Sequence, residues 1–127
     1  MLFRSQIGEG TGLSRRDLVT PDAMTRLLVY LAAQSNAEVV MDALPDAGID
    51  GTLTGRMRGT AAAGNVRAKT GNMAYVHCLA GYVTTAAGER LAFSIMLNNY
   101  LPPAQGPRAS SDVDAIAVML ADFAGHD

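Results

Sequence analysis

Val66-Arg67-Ala68-Lys69-Thr70-Gly71-Asn72-Met73 is the stretch on which the reading of this chain turns. It starts as a strand and runs into Lys-Thr-Gly. Lys69 is the only lysine in 127 residues, and every other strongly basic side chain is an arginine. A compact ammonium on a flexible stem suits a specific task, such as meeting an anion or assisting proton transfer. Thr70 adds a hydroxyl. Gly71 removes the side chain that would keep a ligand away from the backbone.

Downstream, residues 78–85 and 91–98 alternate as two further strands. Ala86-Ala87-Gly88-Glu89 gives a short hairpin link between them. Tyr75 and His77 fall in the link between the first two strands, so antiparallel pairing is natural there too. In the last strand Leu91, Phe93, Ile95 and Leu97 share one face, and Ala92, Ser94 and Met96 share the other. The second face is small and mildly polar, which predicts a sheet covered by helices on both sides. Leu101 to Pro107, with Pro102 and Pro103, reads as a proline-rich loop. Ser110 or Ser111 then caps a final helix whose buried face is Val113, Ile116, Ala117, Leu120 and Phe123.

Upstream, Glu9-Gly10-Thr11-Gly12-Leu13-Ser14-Arg15 is a turn-rich loop. Thr20-Pro21 starts a helix, threonine as N-cap and proline in the first position. Met24, Leu27, Leu28, Leu31 and Ala32 recur at helical spacing and predict a buried face. A second short helix carries Ala37, Val40, Met41 and Leu44 and stops at Pro45. Residues 46–64 are broken by five glycines. A single helical turn at Asp50-Gly51-Thr52-Leu53 leads to Arg56 and Arg58, which are read as solvated surface. The sharper alternative is that one of them lies near an anionic ligand or braces the loop before the strand.

The bulk numbers fit one packed domain, with 49% apolar and 17% charged residues. A formal charge of -2 gives no reason to expect nucleic acid as a partner. No apolar run approaches the roughly 18 residues of a membrane-spanning helix. Cys78 is the single cysteine and is read as a small buried hydrophobe. His77 and His126 have no ligand-like spacing. No metal or cofactor is expected.

The order is loop, two helices, irregular segment, Lys-Thr-Gly strand, two antiparallel strands and a C-terminal helix. It resembles the C-terminal part of the D-alanyl-D-alanine carboxypeptidases/endopeptidases of the penicillin-binding protein 4 type, peptidase family S13. Residues 9–15 look like the family's Asp-Gly-Ser-Gly-Leu-Ser-Arg segment with two conservative changes. Leu18-Val19-Thr20-Pro21 follows as it does there. Arg67-Ala68-Lys69-Thr70-Gly71 matches the active-site strand. Leu79-Ala80-Gly81-Tyr82-Val83-Thr84-Thr85-Ala86 with Leu91-Ala92-Phe93-Ser94 matches the hairpin after it.

The implied fold is α+β, a partial serine β-lactamase/penicillin-binding-protein-like fold. It has an antiparallel sheet of about three strands and flanking helices, including the C-terminal one. Residues 9–127 would be the C-terminal part of a transpeptidase-like domain, with residues 1–8 a non-native or disordered start. The implied chemistry is attack by the serine of a Ser-x-x-Lys motif on a D-Ala-D-Ala bond of peptidoglycan, through an acyl-enzyme. The resemblance implies that Lys69 and Thr70 hold the substrate's terminal carboxylate. Lys69 would also tune the proton relay. Gly71 would admit the substrate backbone, and the Asn72 N–H would be one oxyanion-hole donor. The family commonly has threonine or serine where Asn72 stands; the donor is main chain, so the role survives. Ligands would be a peptidoglycan stem peptide or a β-lactam, in a periplasmic or extracytoplasmic location.

The larger departure is absence. With one lysine, at position 69, no Ser-x-x-Lys exists in these residues, and no serine is followed two positions later by asparagine. Ser14, Ser35, Ser94, Ser110 and Ser111 are read as structural. The nucleophile, its lysine and the Ser-x-Asn motif are expected upstream of residue 1. Leu2-Phe3-Arg4-Ser5 does not resemble the family, so a gene fragment with a foreign start is expected. A true start codon at Met1 in the genome would contradict that. A P-loop fails, because Ala63 and Ala68 occupy both required glycine positions. A non-catalytic peptidoglycan-binding or interaction module is the other reading. Apolar faces made for the missing, N-terminal part of the domain predict poor solubility, dimerisation or partial disorder of the chain alone. A monodisperse monomer with a cooperative melt would contradict this expectation.

Overall fold

The computed structural model describes residues 5–101, 104, 106 and 108–125. The first four residues, Pro102, Pro103, Pro107 and His126 lie outside the described residues. Three strands, β1 (Arg67–Met73), β2 (Val76–Thr84) and β3 (Arg90–Asn98), form one antiparallel sheet in that order. The β1–β2 link is only two residues long, and Tyr75 takes the left-handed conformation such a turn demands (φ 65°). Pairing therefore starts at Val76. His77 is not in the link but in β2, opposite Asn72.

Alternation sorts the sheet into two faces. Thr70, Leu79, Gly81, Val83 and Phe93 point one way, toward α3 (Ala109–Asp122). Lys69, Ala80, Tyr82, Ala92 and Ser94 point the other way, toward α1 (Pro21–Ala32) and α2 (Ala37–Asp42). The main core lies on the α3 side, where Leu79, Val83 and Phe93 meet Val113, Ala117 and Ala121. The α1 side is a smaller cluster of Leu28, Met41 and Tyr82. The Tyr82 hydroxyl donates to the Leu28 carbonyl at 2.7 Å, which satisfies its one polar atom inside that cluster.

Helix ends follow local rules, with one exception. The Thr20 hydroxyl accepts the Ala23 N–H at 3.1 Å, and Pro21 opens α1. At α3 the N-cap is Arg108, without a side-chain cap; Ser110 and Ser111 lie inside the first turn. The buried faces are narrower than periodicity suggests. In α1 only Leu28 is buried, and Leu27 is 49% exposed. In α3 the buried stripe is Ala109, Val113, Ala117 and Ala121, while Ile116 and Phe123 are 41% and 46% exposed. The cause is close approach: alanines let α3 sit low on the large residues of β2 and β3, and the bulkier neighbours turn to the flanks.

Arg56 is not solvated surface. Its guanidinium forks onto Asp114 of α3, with Nε and Nη2 at 3.0 and 2.6 Å from Oδ1. The pair is partly buried and braces the loop before β1. Arg58 donates to the Thr54 carbonyl at 2.7 Å.

Residues 9–15 wrap around a carboxylate. Glu9 accepts the Thr11 N–H at 2.6 Å and the Ser14 N–H at 2.9 Å, and Gly8 N–H donates to Asp17. Gln6 and Leu18 close the loop as a bridge. Hydrogen bonds from Thr11 first, then from Ser14 and Leu13, hold the Glu9 carboxyl below its ordinary value near 4.5.

Two measurements test this account. A Cβ at Gly81 would lie 2.0 Å from the Arg67 carbonyl oxygen and 2.6 Å from the Ala68 Cα. Gly81→Ala should therefore push β1 off β2 and destabilise the fold by roughly 3 kcal/mol or more; an unchanged melting temperature would contradict the close approach. Glu9 binds its partners as a carboxylate, so its contribution is present above the ordinary value and is lost as pH falls through the lowered folded value. Amide protection of Thr11 and Ser14 should hold at pH 6, fall on acidification well below pH 4.5, and be absent at both pH values in Glu9→Ala.

Candidate functional site

β1 is an edge strand, and its outer edge is only half covered. At the start, the segment before it pairs antiparallel: Ala47 N–H donates to the Val66 carbonyl at 2.9 Å, and Ala68 N–H donates to the Pro45 carbonyl at 3.0 Å. Ala68 thus turns its main chain outward. Strand alternation then turns the N–H and C=O of Thr70 and Asn72 outward as well, while those of Lys69 and Gly71 face β2. Past Ala68 no segment pairs with this edge among the described residues. The open stretch contains the Lys-Thr-Gly residues.

The four side chains fall on different sides of the strand. Lys69 is exposed on the α1 side, and its Nζ donates to the Thr70 carbonyl at 2.8 Å. Thr70 points to the α3 side and is 9% exposed; its hydroxyl donates to the Thr52 hydroxyl oxygen at 3.1 Å. A Cβ at Gly71 would meet only the Cys78 Cβ, at an ordinary 3.5 Å. The packing of this chain does not itself require glycine there. Asn72 is exposed, and its Oδ1 lies 3.0 Å from His77 Nδ1, so Nδ1 carries the proton when this bond forms.

Behind Asn72 a polar chain runs to α3. The His77 ring meets Tyr100 edge-on, with centroids 6.3 Å apart. The Tyr100 hydroxyl donates to Asp112 at 3.0 Å, and that bond raises the tyrosine's pKa. Tyr100 N–H also donates to the Tyr75 carbonyl, which ties the strained turn to the end of β3. Sequence reasoning missed Thr52 and His77 as neighbours of the site. For His77 the signal is its spacing from Asn72 across a two-residue turn; for Thr52 the sequence offers none.

On the Lys69 face, one row across the sheet reads Lys69, Ala80, Ser94. The Ser94 hydroxyl is buried and lacks a partner. In the next row, Gly71, Cys78 and Met96, the last two line a groove of about 450 Å³ with Arg15 and Leu18 of the N-terminal loop. Cys78 is only partly buried there, because no helix among the described residues covers this end of the sheet, and burial still pushes its thiol pKa up. None of the serines singled out in the sequence is hydrogen-bonded to a lysine or a histidine among the described residues.

The chain matches the D-Ala-D-Ala carboxypeptidase 3 (S13) family over residues 3–121. A D-alanyl-D-alanine carboxypeptidase of Actinomadura sp. (strain R39) is 46% identical over 94% of this chain and 22% of its own length. The D-alanyl-D-alanine carboxypeptidase DacB of Haemophilus influenzae is 41% identical over 76% of this chain and 20% of its own. A crystal structure of penicillin-binding protein 4 from H. influenzae, complexed with a β-lactam, superposes with a TM-score of 0.78 at 33% identity, covering 94% of this chain and 28% of that one. The chain thus spans about a fifth of the length of these curated relatives. The three-stranded sheet between α1 and α3 is part of a penicillin-binding fold, and the chain belongs to the D-Ala-D-Ala carboxypeptidase 3 (S13) family.

Proposed function

We propose that the open edge of β1 is the peptide-binding wall of a serine-type D-Ala-D-Ala carboxypeptidase/endopeptidase site acting on peptidoglycan. The observation that carries this reading is the edge itself. The outward N–H groups of Thr70 and Asn72 have no main-chain partner among the described residues, and they lie beside a lone lysine held on the Thr70 carbonyl and a glycine that the packing does not demand. An extended stem peptide, or a β-lactam in its place, adds to such an edge as a further strand. Gly71 leaves its backbone room to approach. The Asn72 N–H points where a carbonyl oxygen would develop charge, and His77 steadies the Asn72 side chain from behind. Lys69 supplies the positive charge for the substrate's carboxylate and for the proton relay, and the Thr70 hydroxyl, bonded to Thr52, lines the same end of the edge.

Residues 9–127 act in this reading as the C-terminal part of a penicillin-binding domain. The nucleophilic serine, its lysine and the Ser-x-Asn motif are carried by protein outside these 127 residues, since neither motif occurs within them. The chain alone is then a binding wall without an acylating residue, and hydrolysis requires both parts. The substrate class assigns the domain to an extracytoplasmic compartment.

A fluorescent penicillin should leave this chain unlabelled after denaturing electrophoresis; covalent label on any of its serines would overturn the assignment of an external nucleophile. N-acetyl-D-Ala-D-Ala should shift the amide resonances of Thr70 and Asn72 in a heteronuclear NMR titration. Lys69→Ala should weaken that binding by about tenfold, the scale of one charge-assisted hydrogen bond. Shifts confined to other parts of the sheet would refute the edge as the binding wall.

A further inference from the structure

We propose that Thr52 is a carboxylate-binding residue of this edge, and that residues 45–53 fix where a bound peptide must end. The inference rests on the strand-addition reading above. It begins with the half-covered edge. The outward N–H of Ala68 is already given to the Pro45 carbonyl, so an added strand finds its free N–H donors at Thr70 and Asn72 and none before them. A peptide paired in this way runs out of edge at Thr70. Its last group lies against whatever flanks Thr70.

That flank is Thr52. The chain doubles back after Pro45 through Gly51, which takes φ 49° and sits so close that a Cβ would lie 2.9 Å from the Pro45 Cγ. This tight return sets the 3-10 turn Gly51–Leu53 beside β1 and brings Thr52 Oγ1 to 3.1 Å from Thr70 Oγ1. Leu53, fully buried in the main core, anchors the turn.

The two hydroxyls are not equivalent. Thr70 is buried, and its one hydroxyl proton is given to Thr52. Thr52 is exposed and accepts that bond, which leaves its own proton to donate outward. A hydroxyl that accepts one bond donates a stronger one, so Thr70 polarises Thr52 toward an anion. Lys69 Nζ, held on the Thr70 carbonyl, brings a positive charge to the same end of the edge. Of the carboxylates of this loop, Asp46 is paired with Arg67 at 3.0 Å, and Asp50 is held on the Asp46 N–H at 2.8 Å. The chemistry selected is a free α-carboxylate on the residue that ends at Thr70. A C-terminal amide offers no charge for Lys69 and a weaker acceptor for Thr52.

The test compares N-acetyl-D-Ala-D-Ala with its C-terminal amide, by NMR titration of the full 127-residue chain. The wild type should prefer the carboxylate. Thr52→Ser should keep that preference. Thr52→Val should weaken carboxylate binding by about tenfold and change amide binding by less than about twofold. Because Thr52→Val orphans the Thr70 hydroxyl, a second pair guards against misfolding: Thr70→Val, which removes only the polarising bond, should reduce the preference by less than Thr52→Val does, and Thr52→Val/Thr70→Val should lose it. Equal loss for both ligands, or no loss on removing the Thr52 hydroxyl, overturns the role of Thr52 and leaves the binding wall standing. Failure of the wild type to bind either ligand overturns the wall and Thr52 together.

Discussion

The close approach of β1 to β2 at Gly81 is the constraint on which the rest of the chain depends. The Arg67 carbonyl and the Ala68 Cα occupy the space a side chain would need at residue 81. Only with that space free does β1 lie flat along β2 in a register that runs from Arg67–Tyr82 to Met73–Val76. The same register sends Lys69 to one face and Thr70 to the other, and it sets Asn72 opposite His77. A slip of one residue would exchange every one of these assignments. The site is therefore a consequence of how one strand is seated, and that seat depends on one missing side chain.

The outer side of β1 is organised by a second contact. Residues 45–47 pair with the strand only as far as Ala68, and Gly51 turns the chain back over Pro45. Exposed strand edges are usually short, charged or covered. Here the edge is covered until the Lys-Thr-Gly residues begin and open from there on. Arg56, forked onto Asp114, ties the same loop to α3. The loop is thus held to the main core at Leu53 and at Arg56, on either side of Thr54. Such rigidity would suit the binding role proposed for the edge, because backbone groups that wander cannot align with a peptide.

The two faces of the sheet differ in kind. The α3 side carries large residues under a helix that presents alanines; the α1 side carries alanine and serine under Leu28. Ser94, buried without a hydrogen-bond partner, sits in the row of Lys69 on the thinner side. On that side Cys78 and Met96 line a groove that no helix among the described residues fills. Leu27, Val29 and Tyr30 of α1 face away from the sheet and remain exposed. The match to the H. influenzae structure covers about 28% of that chain.

Much of this was legible in the residues. Alternation in β3, the Thr20-Pro21 start of α1, the glycine-bearing hairpin link and the Lys-Thr-Gly strand are local signals, because each depends on backbone preferences within a few positions. The same locality explains the misreadings. Periodicity marked Leu27, Ile116 and Phe123 as core, yet burial is decided by how low a helix sits, and alanines decided that for α3. Ser110 and Ser111 suit a cap chemically, but the N-cap of α3 is Arg108, two to three residues earlier. By itself the sequence determined the strand that carries Lys69, Thr70, Gly71 and Asn72, and the absence of a serine–lysine pair to face it. Only the tertiary structure decided which edge of that strand is open, that Arg56 is a brace, and that Thr52 stands beside Thr70. Those facts come from contacts between segments 18 to 58 residues apart, and no spacing along the chain encodes them.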